Sequence, residues 1–299
     1  MRILKKIRNR AHSLINEKKR LIDNRLIAKN LYKKDPRVDE LKVSKKVHGW
    51  LNDLKKNGIV KICNEFEWVE DVYNKEYLEK KNKYFISENI DERAKITGRV
   101  FSKTLSPSDP KLEDWYFNED LFILISKIFK QQPYYRNLPS LQIYKFTPDN
   151  REDIAGKWHI DSNLHQITFM LLLNDLKQTD THMKYAIGSN NHTSKKLDRD
   201  RINPEEIENN FDIMDCVGKA GTLFIFCGGT GYHKALYKPH TKRKIYHANF
   251  TPGHDIIPEF LTDNNILKKL NKKKFPITNI CDALIKENHL SDKFYIKKY

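Results

Sequence analysis

Trp158-His159-Ile160-Asp161 is the stretch on which the reading of this chain turns. On a β-strand alternate side chains share a face, so His159 and Asp161 converge on one point from a single strand end. An imidazole and a carboxylate placed in this way make half of a metal site. The other half calls for a second His far downstream. His233 meets that need, just after the apolar run Gly221-Thr222-Leu223-Phe224-Ile225-Phe226-Cys227. Two His and one carboxylate on one face, with the remaining positions open, suit a non-haem Fe(II) oxygenase.

The surroundings of His233 support this. The run before it is apolar throughout, as a buried strand would be, and Gly228-Gly229-Thr230-Gly231 then gives a permissive backbone for a bend. A ligand at the end of a core strand has the rigid placement that a metal needs. Ten residues beyond His233 stands Arg243, opening the next strand in Lys242-Arg243-Lys244-Ile245-Tyr246. Its planar fork matches a carboxylate bidentately. His240 and His247 are rival distal ligands, but neither has an Arg at a comparable later position, and Arg243 is the last Arg in the chain.

The chain around these residues divides in two. Residues 41–57 read as a helix with Leu41, Val47, Trp50, Leu51 and Leu54 apolar, and Asn57-Gly58 leads into a short strand at Ile59–Ile62. Residues 65–90 look helical, and 104–112, with Pro107 and Pro110, read as a loop. Asn118 to Gln131 is a helix that Pro133 ends. From there the chain reads as short strands at 141–146, 159–165, 166–173, 185–187, 212–217, 222–227 and 244–250, with a helix at 204–210 starting on Pro204. Short strands separated by turn signals indicate a sandwich or jelly roll. The expected fold is a mainly β core, a jelly roll, with flanking N-terminal and C-terminal helices. The expected division is a basic helical segment at 1–40, a core domain at 41–255 and a helical extension at 256–299.

The order Gly58-Ile59-Val60, His159-x-Asp161, Ile187-Gly188-Ser189-x-x-His192, Gly221–Phe226, His233 and Arg243 resembles the phytanoyl-CoA dioxygenase family over roughly residues 45–255. The Gly-Ser-x-x-His segment departs from that family's Pro-Gly-Ser-His turn. Ala186-Ile187 stands before the Gly, and two residues separate Ser189 from His192, which reads as a loop residue rather than a ligand. The resemblance implies a double-stranded β-helix and an Fe(II)- and 2-oxoglutarate-dependent dioxygenase. His159, Asp161 and His233 would ligate Fe(II), and Arg243 would bind the far carboxylate of 2-oxoglutarate. Gln142 is an implied second contact. Tyr144 shares its strand face and is a further candidate, and His165 would line the same cavity. With O2 as the other co-substrate, the reaction would release succinate and CO2. Related halogenases carry Ala or Gly where Asp161 stands, so the resemblance implies hydroxylation. The alternative is a non-catalytic jelly-roll binding protein.

Composition bounds the rest. With 55 Lys and Arg against 39 Asp and Glu the formal net charge is +16. Residues 1–35 carry 12 Lys/Arg against 3 Asp/Glu, with Leu4, Ile7, Ala11, Leu14, Leu21 and Ile22 at helical spacing. The plain reading is a helix packed on the domain with a solvated basic face. The functional reading is peripheral docking to a membrane surface or a polyanion. A small or carrier-linked organic substrate is expected, and nucleic acid is the less favoured partner. The four cysteines form no C-x-x-C pair, which removes a zinc ribbon and fits a reduced, cytoplasmic setting. No apolar stretch approaches the roughly 20 residues that span a bilayer.

Overall fold

The computed structural model describes residues 36–66, 99–104, 118–130, 133–145, 154–161, 166–191 and 202–252. The expectations for 1–35, for the 65–90 helix beyond residue 66, for the 104–112 loop beyond residue 104 and for the C-terminal extension lie outside these residues. So do His165 and His192.

The helices form where the sequence supplies caps. A short turn, α1 (Pro36–Asp39), buries Val38. Helix α2 runs Lys45–Asn57. The Ser44 hydroxyl accepts from the Val47 amide at its start, and Gly58, at φ 73, accepts the left-handed conformation that ends it. A side chain at Gly58 would also collide with the Tyr185 hydroxyl and with Asn190. Helix α3 (Glu119–Phe129) is capped by Asn118 and carries Glu119 and Asp120 in its first turn. Helix α4 (Pro204–Asn210) starts on Pro204 behind an Asn203 cap. Among the described residues no helix is long and apolar enough to cross a membrane.

The strands make two antiparallel sheets. Strands β1 (Ile59–Ile62), β2 (Arg99–Thr104), β3 (Pro133–Lys145), β4 (Ile167–Leu172), β7 (Leu223–Phe226) and β9 (Lys242–Pro252) form one, in the order β1-β7-β4-β9-β3-β2. Strands β5 (His182–Ala186), β6 (Ile213–Cys216) and β8 (His233–Leu236) form the other, in the order β6-β5-β8.

Both faces of the larger sheet are covered. Phe169, Leu171, Leu223, Ile225, Tyr246, Ala248 and Phe250 pack with Val47, Leu51 and Leu54 of α2 and Leu121 and Leu124 of α3. The alternate residues Ile59, Met170, Leu172, Phe224, Phe226 and Ile245 meet Met183, Tyr185 and Cys216 of the smaller sheet. Burial on both sides explains why β7, and β4 apart from Thr168, read as apolar runs. Each fully buried Leu or Phe contributes about 1.5–3 kcal/mol. Two antiparallel sheets over one core, with few helices, fit a jelly-roll-like fold.

Three expectations change. Strand β8 was not anticipated, because His233-Lys234-Ala235-Leu236 lacks β-branched residues and owes its extended form to pairing with β5. Strand β2 was not anticipated either; it lies along β3. Over the described part of the expected 159–165 strand, residues 159–161, the pairing is an isolated bridge between His159 and His233, and the Asp161 amide donates to the Gly228 carbonyl.

Candidate metal centre

The inner face of β9 is a row of alternate residues: Arg243, Ile245, His247 and Asn249. Ile245 belongs to the core between the sheets, which fixes the direction of the row. Opposite them on β4 lie Leu172 against Ile245, Met170 against His247 and Thr168 against Asn249. On β3, Tyr144 faces Arg243 and Gln142 faces Ile245. The metal candidates gather near Gly228 and Gln166. Arg243 stands toward the opposite end of the row.

His159, Asp161 and His233 come together as read from the sequence. Their ligand atoms all lie within 4.8 Å of one another. The two His are tied backbone to backbone, each amide donating to the other's carbonyl at 3.0 Å. Their rings lie 4.4 Å apart between centroids. His233 Nε2 is 3.7 Å from Asp161 Oδ1, a gap that one ion bonded at about 2.0–2.2 Å to each atom can bridge.

The ring nitrogens are sorted for coordination. His159 Nδ1 lies 2.7 Å from the Lys157 carbonyl, and His233 Nδ1 lies 3.0 Å from the Gly231 carbonyl. A carbonyl only accepts, so each Nδ1 carries the proton, and each neutral ring then offers the Nε2 lone pair. The pair also draws positive charge. Burial pushes the His233 imidazole down, but Asp161 beside it more than offsets this and raises it above its ordinary value. Burial pushes the Asp161 carboxyl up, and His233, with smaller contributions from His159 and His247, holds it below its ordinary value. A donor set of two imidazoles and one carboxylate, with these protons already placed, fits a first-row divalent metal.

Two features brace the ligands. Gly228 packs directly on Asp161, and a Cβ there would collide with Asp161 Oδ2 and come 2.9 Å from Thr168 Oγ1. Glu208 on α4 accepts from Trp158 Nε1 at 3.0 Å and from Lys234 Nζ at 2.7 Å. Trp158 precedes one ligand and Lys234 follows another, so one carboxylate clasps both segments from outside. Lys234 also lies over the Trp158 ring, 4.7 Å from its centroid.

Arg243 is 6% exposed. Its guanidinium carbon stacks 4.3 Å from the Tyr144 ring centroid, and Tyr144 Oη donates to Gln142 Oε1 at 2.6 Å. Arg243 Nε is buried without a hydrogen-bond partner among the described residues. A buried donor left unpaired costs about 1–3 kcal/mol, more when charged. A carboxylate ligand would remove that cost.

The rivals separate. His240 sits exposed in a turn at φ 64. His247 acts on Asp161 electrostatically but stands outside the ligand cluster. Burial pushes the Cys216 and Cys227 thiols up, Cys227 to about 12, which keeps both protonated and removes them as nucleophiles. Sequence reasoning passed over Gln166, Thr168 and Asn249. The signal was present: Gln166 and Thr168 are polar at alternate positions entering an apolar strand.

No protein-family model matches the chain. No curated protein matches it. Solved structures do. EctD from S. alaskensis in its apoform is 13% identical, over 73% of this chain and 83% of its own, with a TM-score of 0.50. EctD from S. alaskensis with 2-oxoglutarate and 5-hydroxyectoine is 12% identical, over 70% of this chain and 76% of its own, with a TM-score of 0.51. At these identities the likeness shows a shared fold.

Proposed function

We propose that this chain is an Fe(II)- and 2-oxoglutarate-dependent dioxygenase of the phytanoyl-CoA dioxygenase type, built on a double-stranded β-helix. It hydroxylates a small or carrier-linked organic substrate. One observation carries the reading: a His-Asp-His cluster and a buried guanidinium with an unpaired Nε lie along the same inner face. The first suits an open-sided iron site, and the second suits the distal carboxylate of a dicarboxylate bound to it. EctD, whose fold the chain shares, has been solved with 2-oxoglutarate.

In this reading His159 and His233 hold Fe(II) through Nε2, and Asp161 holds it through its carboxylate. Arg243 binds the far carboxylate of 2-oxoglutarate, its plane set by the Tyr144 ring. Gln142 and Tyr144 flank that contact. Iron, 2-oxoglutarate and O2 together supply the oxidising power, with succinate and CO2 as co-products. The chain positions the reactants, and the Phe226 ring packs edge-on against the His233 ring at 5.3 Å between centroids. The carboxylate at Asp161 leaves no place for a halide ligand, which supports hydroxylation.

The test is succinate formation from 2-oxoglutarate with Fe(II) and O2, screened over pools of free and carrier-linked organic compounds. The proposal expects at least one pool to raise succinate well above the His159→Ala background. Metal and 2-oxoglutarate binding with no succinate above that background in any pool would favour the non-catalytic binding protein.

A further inference from the structure

The two oxygens of Asp161 are treated differently. Oδ1 faces His233 Nε2 at 3.7 Å. Oδ2 accepts a 2.6 Å hydrogen bond from Gln166 Nε2. The same nitrogen donates to Thr168 Oγ1 at 3.0 Å, and Thr168 Oγ1 donates to Asn249 Oδ1 at 2.9 Å. Gln166, Thr168 and Asn249 are 6%, 1% and 6% exposed, so the chain is shielded from water.

The direction of every bond follows from the carboxylate. An ionised carboxylate only accepts, so Gln166 must turn its NH2 group toward Asp161. That group has two protons, and the second goes to Thr168. The Thr168 hydroxyl, accepting there, has its own proton for Asn249. Gly228 then closes the side from which Oδ2 could swing away.

We infer that Gln166 is a positioning residue for the metal centre, backed by Thr168 and Asn249, and that it reserves Oδ2 for the protein so that Asp161 meets the metal through Oδ1 alone. The inference rests on the metal-site reading above. Its consequence is chemical. A carboxylate bound through both oxygens would occupy an extra coordination position. One bound through a single oxygen leaves about half of an octahedral shell open, which a chelating co-substrate and O2 together require.

Co(II) is the probe, because its visible d–d bands report coordination number and its affinity can be titrated without turnover. The full chain should bind Co(II), and His159→Ala should lose it. Gln166→Leu should weaken Co(II) binding by about 10- to 100-fold, the usual consequence of losing a partner that orients a ligand, and should alter the d–d bands. Thr168→Val, close in shape, should shift both readouts the same way by a smaller factor. Thr168→Ser, which keeps the hydroxyl, should restore them. A merely structural role would lower the melting temperature while leaving the d–d bands of bound Co(II) unchanged. A folded Gln166→Leu with wild-type affinity and bands overturns the inference. If Gln166→Leu does not fold, the Thr168 pair decides: equal behaviour of Val and Ser overturns it. Failure of the unmodified chain to bind Co(II) overturns the metal-site reading itself, and this inference with it.

Discussion

The two ends of the inner face are finished differently. At the His159–Asp161–His233 end the protein supplies partners for what the metal would not use: Lys157 and Gly231 carbonyls for the Nδ1 groups, and Gln166 for Asp161 Oδ2. At the Arg243 end it supplies shape and leaves a vacancy in the hydrogen bonding. The guanidinium is buried and stacked on Tyr144, yet Nε has no partner among the described residues. The first end is oriented in advance, as a resident metal requires. The second keeps a buried donor at Arg243 Nε, which the carboxylate of the proposed co-substrate would pair.

Substitutions can break this contrast, and the largest expected effect is at Arg243. Arg243→Met should weaken 2-oxoglutarate binding by roughly 10- to 100-fold, the worth of charge-assisted hydrogen bonds. The same change should leave the ligand-free protein as stable as before or more so, since it replaces an under-satisfied buried charge with an apolar chain. Calorimetric titration and thermal melts check the two halves. Weakened binding together with a clear loss of ligand-free stability would mean that Arg243 is a structural residue.

Tyr144→Phe sharpens the same end. The ring stays under the guanidinium, and the 2.6 Å bond to Gln142 is lost. The expected cost is about 0.5–1.5 kcal/mol, or roughly 2- to 10-fold in 2-oxoglutarate affinity. Tyr144→Ala, which also removes the ring, should cost more.

Glu208→Gln tests the outer clasp of the metal end and should do least. Its carboxylate is about half exposed, so the change should alter Co(II) affinity only slightly. The pH dependence has a defined sign. The hydrogen bond from Lys234, then that from Trp158, hold the Glu208 carboxyl below its ordinary value of 4.5. A carboxyl lowered on folding contributes stability that is present above its unfolded value and lost as pH falls through the folded one. Melting curves of the wild type and Glu208→Gln should therefore differ at neutral pH and converge in acid. A difference that grew on acidification would contradict the clasp.

How much was legible in the sequence depended on the range of each interaction. His159 and Asp161 declared themselves through spacing on one strand end, and His233 through its place after an unbroken apolar strand. Arg243 followed from opening the next strand. Gln142 was implied by the family resemblance and Tyr144 by period-2 reasoning from it, but their bond to each other and the stacking on Arg243 needed the β3–β9 register. Gln166 and Thr168 carried a signal as polar residues at alternate positions of an apolar strand, but their link to Asn249 was not legible, because that bond spans 81 residues and forms only when β4 lies beside β9. Strand β8 was hidden for a similar reason: pairing with β5 makes it extended, against the weak propensity of its own residues.

The most direct test of the central claim is optical. The full chain, made anaerobic and loaded with Fe(II), is titrated with 2-oxoglutarate while the visible spectrum is recorded. The account predicts the charge-transfer band of an Fe(II)–2-oxoglutarate chelate in the wild type. It predicts no band in His159→Ala, and a band needing higher 2-oxoglutarate in Arg243→Met. A wild-type chain that gives no band at saturating Fe(II) and 2-oxoglutarate, or an equal band in His159→Ala, would contradict it.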